Sequence, residues 1–115
     1  MKNIQVTTSR SSDSLSPAQL QILNISVNLA RIGNWVADSY EQKKELINKF
    51  IEQTAQMISD LDSQNSSKEF KTILSKFKTE FYKLKEEPID KTNKPIWAEK
   101  ALTWANILQH RAKLA

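Results

Sequence analysis

His110 is the only imidazole in the 115-residue chain, and there is no cysteine. One histidine cannot build an HExxH zinc site or a Ser-His-Asp relay, and without thiolates no cysteine nucleophile or cysteine-ligated metal is possible. His110 stands between Ile107 and Leu114, with no acid three or four residues before it to orient the ring. Near a helix C-terminus such a group interacts with the helix dipole rather than serving as a general base. Glu41, Glu45 and Glu52 share one side of a helical stretch, but the third lies almost two turns beyond the first pair. That spacing does not gather oxygens around a hard cation, and carboxylates spread along an exposed face do not make an acid/base pair. These glutamates are expected instead to complement a basic flank elsewhere. No catalytic residue, metal ligand or cofactor site is expected.

Two further groups could recognise rather than react. Lys71, Lys78 and Lys85 recur every seven residues with Tyr82 between the last two, and no acid interrupts that flank. A basic row with an aromatic suits a phosphate backbone or a single strand. A solvated lysine face is the commoner use of the same pattern, and salt-dependent oligonucleotide binding distinguishes the two. Trp35, Trp97 and Trp104 could line a pocket. The last two, however, lie among Ala101, Ala105 and Leu108 on one helical face, which points to core packing.

The element that positions all of these is Ser66–Lys85. Phe70, Leu74, Phe77, Phe81 and Leu84 alternate at spacings of four and three, with Ile73 beside them. At about 100° per residue the six fall within roughly a third of a helix circumference, and other segments must cover them. Upstream, Leu15-Ser16-Pro17 is a helix start, with Ser16 as cap and Pro17 in the first helical position. Residues 23–29 alternate apolar and polar like a strand, but a lone strand has no partner in a helical chain, so helix is expected. Read as a helix, this segment carries two apolar sides: Ile22, Ile25, Leu29, Ile32 and Val36, and opposite them Leu20, Leu23, Val27 and Ala30. Gly33, the only glycine, either admits a close neighbour or ends the helix. Asp38 and Ser39 have capping-box spacing to Glu41 and Gln42, and Ser66 has it to Glu69. Pro88 stops the phenylalanine helix, and Asn93 or Thr92 is expected to cap the last helix ahead of Pro95.

The expected fold is all-α: an up-and-down four-helix bundle with helices at about 17–37, 39–62, 67–86 and 95–114. Residues 1–14, rich in Ser and Thr, are expected to form a disordered tail before a single domain at 15–115. One glycine and three prolines argue against turn-rich β architectures. No apolar run approaches the ~20 residues of a membrane span, and a cysteine-free chain without a secretory pattern is expected in the cytoplasm. The net charge of +4 is unevenly spread, with six acids against three lysines over 38–62 and five basic groups against two acids over 88–115. That polarity favours orientation of helices or partners rather than general nucleic-acid affinity.

The functional expectation is a non-catalytic helical protein-interaction module: an adaptor, a regulator or an assembly subunit. The alternative is a nucleic-acid accessory protein using Lys71, Lys78, Tyr82 and Lys85. Leu20, Leu23 and Val27, with the second stripe of the last helix, Ile96, Ile107 and Leu114, are the expected partner interface. The partner is a protein or a second copy in a homodimer. No membrane or small-molecule partner is expected.

Overall fold

The computed structural model describes residues 15–64 and 66–115, and the expected tail lies outside them. The described residues form three α-helices: α1 Pro17–Leu61, α2 Lys68–Glu86 and α3 Lys94–Arg111, with a 3-10 turn at Ala112–Leu114. Among them there is no strand, and the alternating segment 23–29 is helical. The four helices expected from the sequence are thus three. The two helices expected on either side of Asp38 and Ser39 run on as one helical element, α1, whose 45 residues join across a kink at Ser39 and Lys43.

That helix is not straight. Ser39 (φ −151°, ψ 40°) and Lys43 (φ −120°, ψ 17°) leave helical geometry. In a straight helix Gln21 and Met57 would stand about 54 Å apart at 1.5 Å per residue. Instead the Gln21 side-chain amide donates to the Met57 carbonyl at 3.2 Å, and Asn28 reaches Thr54 at 3.4 Å. The helix therefore doubles back into two antiparallel limbs. Trp35 and Phe50 meet edge to face at 5.0 Å near the bend, and the Lys43 ammonium lies 5.6 Å from the Trp35 ring centre. The Trp35–Phe50 contact closes the bend at Ser39 and Lys43, in a stretch, 38–44, that holds neither proline nor glycine.

The phenylalanine ridge of α2 is the centre of the core. Phe70, Leu74, Phe77, Phe81 and Leu84 are all buried. Each contributes on the order of 1.5–3 kcal/mol of burial. Trp104 of α3 packs on Phe77 at 5.3 Å, and the Trp97 indole N–H donates to the Leu84 carbonyl at 3.0 Å. The tryptophan–alanine side of α3 thus covers one flank of the ridge. Ile47, Ile51, Ile58 and Leu61 from the second limb of α1, and Ile22, Ile25, Leu29, Ile32 and Val36 from the first, complete the core.

Small residues decide how closely α3 approaches α1. A β-carbon on Gly33 would lie 2.8 Å from the Leu102 Cγ and 3.2 Å from the Ala98 carbonyl oxygen. Gly33 has ordinary helical geometry and serves close approach, not chain termination. At the far end, the Gln19 side-chain amide donates to the carbonyls of Lys113 and Ala115.

The caps follow sequence chemistry with two corrections. Ser16 and Gln19 form a reciprocal capping box. For α2 the cap is Ser67 rather than Ser66; its hydroxyl accepts from the Phe70 N–H and donates to the Leu114 carbonyl, tying α2 to the C-terminal turn. Asn93 occupies the cap position of α3 but does not cap it. Its amide instead accepts from the Asp90 N–H and donates to Glu87 and the Pro88 carbonyl, which orders the connection before α3.

Candidate interaction surface

The lysine row of α2 is largely engaged within the molecule. Lys78 binds both carboxylate oxygens of Asp62 at 2.9 and 2.8 Å, and Lys85 meets Glu52 at 3.0 Å. Both acids lie on or just beyond the second limb of α1, so the row is a seam of ion pairs between two antiparallel helices. The hydrogen bond and charge of Glu52 hold the Lys85 ammonium above its ordinary pKa. Lys71 and Tyr82 are exposed and line a surface depression of about 440 Å³ that Lys78 and Asp62 also border. Of the three glutamates, Glu52 meets the basic flank of α2, whereas Glu41 pairs locally with Lys44 at 3.4 Å.

The other reactive side chains are dispersed. His110 is exposed, its Nδ1 2.9 Å from the Asn106 carbonyl one turn back. Among the described residues no three His, Asp or Glu side chains gather as metal ligands would. No described helix is long and apolar enough to cross a membrane. Trp97 is buried, and Trp35 and Trp104 are half-buried against the core.

The six residues read as an interface divide into two groups. Leu20 (46% exposed), Val27 (47%) and Ile96 (56%) stand open on the surface. Leu23 and Leu114 are half-buried against the core, and Ile107 is half-buried where it lines a groove. That groove, about 740 Å³, runs between the first limb of α1 and α3. Ala30 and Ala37 form its α1 wall; Ala98, Leu102, Ala105 and Ile107 belong to its α3 wall. Val27 is one turn from Ala30, so the open aliphatic row of α1 leads into the groove.

Leu102 lies on neither of the two apolar stripes of the last helix. Its signal was the row Ala98, Leu102, Ala105, Gln109, in which small residues at spacings of four and three let a neighbouring backbone close in. Leu46, also exposed, stands on the other limb of α1 and belongs to no apolar row of its own. Compared with known proteins, the chain matches no family model, no curated protein and no solved structure.

Proposed function

We propose that this chain is a non-catalytic helical protein-interaction module whose docking face is the outer side of the α1 first limb and α3. The observation that carries the reading is the exposure of Leu20 and Val27 beside a groove walled by alanines and leucine. Scattered single apolar residues are ordinary on protein surfaces, but a row of them entering a concave apolar groove marks a place of association. In this role the helices act as an up-and-down bundle of four rods, two of them the limbs of α1. The core is saturated by the phenylalanine ridge, which leaves this second side of α1 for a partner.

A nucleic-acid role for Lys71, Lys78, Tyr82 and Lys85 is the weaker reading, because two of the three ammonium groups already face carboxylates. A cytoplasmic setting suits a cysteine-free chain. The test is affinity capture from the native host with the wild-type chain and Val27→Glu as paired baits. A host protein retained by the first and lost with the second supports the reading. Equal capture by both baits, or none by either from a chain that is also monomeric in solution, refutes it.

A further inference from the structure

We infer that the occupant of this face is a second copy of the chain, with the first limb of α1 packed antiparallel on its counterpart. The inference rests on the interaction reading above and names its partner. Along this limb Leu20, Val27 and Asn34 recur every seven residues, and Leu23, Ala30 and Ala37 recur three residues after each. The first three are exposed; of the second three, Leu23 and Ala30 are half-buried and Ala37 is exposed. This is a coiled-coil seam already shown to solvent on a folded domain. An asparagine among the exposed core positions is the residue type that fixes register in such seams.

Side-chain size makes the seam self-complementary in the antiparallel sense. A two-fold axis near the middle of the limb sets Leu20 of one copy opposite Ala37 of the other, Val27 opposite Ala30, and Leu23 opposite Asn34. Large residues then fall on small ones, as interdigitated layers require. In a parallel pairing the alanines would face alanines and leave gaps.

Charge points the same way. From residue 15 to residue 37 the only charged side chain is Arg31. The two-fold sets Arg31 level with Ser26 of the second copy, so the two Arg31 side chains stand about five residues, roughly 7.5 Å, apart along the axis. Across α1 and α3, Gly33 lies against Ala98 and Leu102, and Gln19 reaches Lys113 and Ala115. With that alignment the same axis brings Glu99, the one acid of residues 95–115, level with His110 and Arg111 of the other copy. An isologous contact needs this kind of agreement between the two ends of one surface. A strongly acidic or basic partner would find little charge here to recognise. The limb of 22 residues is about 33 Å long and, with α3 beside it, about 20 Å wide. The roughly 660 Å² covered per copy approaches the ~800 Å² of a standard interface.

The experiment combines mass in solution with directed cross-linking of the full chain. Light scattering of the wild type up to roughly 100 µM should give a dimer, and Val27→Glu should weaken association at least about tenfold. Because Val27 is exposed, circular dichroism should show unchanged helicity in that variant. The chain lacks cysteine, so Leu20→Cys and Ala37→Cys each introduce a single thiol. Under mild oxidation an equimolar mixture of the two should form a disulfide dimer. Neither alone should, because like positions lie about 25 Å apart along the helices. A wild-type monomer throughout the range, a dimer indifferent to Val27→Glu, or efficient cross-linking of Leu20→Cys alone would each overturn the inference. A monomer that still captures a host protein through Val27 would overturn only the identity of the partner and leave the interaction reading standing.

Discussion

Gly33 shows how one atom sets the distance between two helices. A methyl group there would meet Leu102 and the Ala98 carbonyl at sub-contact distances. Alanine is favoured over glycine in a helix by about 1 kcal/mol, whereas overpacking a tight contact costs roughly 1–3 kcal/mol. Gly33→Ala is therefore expected to destabilise by about 1 kcal/mol in urea unfolding. In a Leu102→Ala background the same change should become neutral or stabilising, because the clashing side chain is gone. Lys85 carries a second residue-scale expectation. Its folded pKa is raised above 10.5, so the Glu52 pair stabilises fully below about pH 10.5 and is lost as pH rises through the folded value. The stability difference between wild type and Glu52→Gln should accordingly shrink toward zero above that pH, and a constant difference would count against the pair.

At the scale of elements, α1 is defined by what holds its two limbs together. The segment that alternates like a strand turns its polar residues inward as well as its apolar ones. Asn28 and Ser26 are buried while Val27 is exposed. Asn28 donates to Thr54, whose hydroxyl donates in turn to the Phe50 carbonyl at 2.7 Å. Together with the Gln21–Met57 hydrogen bond and the Trp35–Phe50 pair, this buried polar contact distinguishes one sliding position of the limbs from the next. Thr54→Val conserves shape but leaves the Asn28 amide without its hydroxyl acceptor, at a cost of about 1–3 kcal/mol in equilibrium denaturation. A loss well under that range would mean the nearby Met57 sulfur, 3.6 Å from Asn28, suffices as acceptor. The ion pairs from α2 to Asp62 and Glu52 are open to solvent, which screens them and leaves them little weight in stability. They orient α2 rather than hold it.

At the scale of the whole molecule, the distribution of apolar residues separates folding from association. The ridge of α2 is consumed internally, covered by Trp97 and Trp104 on one side and by α1 on the other. The first limb of α1 has more apolar surface than the core takes up, and the excess emerges as Leu20 and Val27 beside the α3 groove. On the proposed reading, destabilising changes belong to the first set and association-defective changes to the second. Val27→Glu should alter what the chain binds without lowering its helicity. A core change such as Phe77→Ala belongs to the class that costs about 3–5 kcal/mol.

The sequence by itself determined the helical class, the inward ridge of α2, the start of α1 at Ser16 and the two-sided character of its first limb. Each of these is a local matter of period, cap or composition, which a single segment carries within a few turns. Tertiary structure decided the rest. A chain that reverses at Ser39 and Lys43 within one helical element cannot be told from two separately capped helices, because Asp38 and Ser39 offer the same local chemistry to both. The role of Gly33 depended on Leu102, 69 residues away, and the pairing of the lysine row on acids of another helix. Contacts between distant segments depend on how helices stack in space, and periodicity within one segment contains no information about its neighbour.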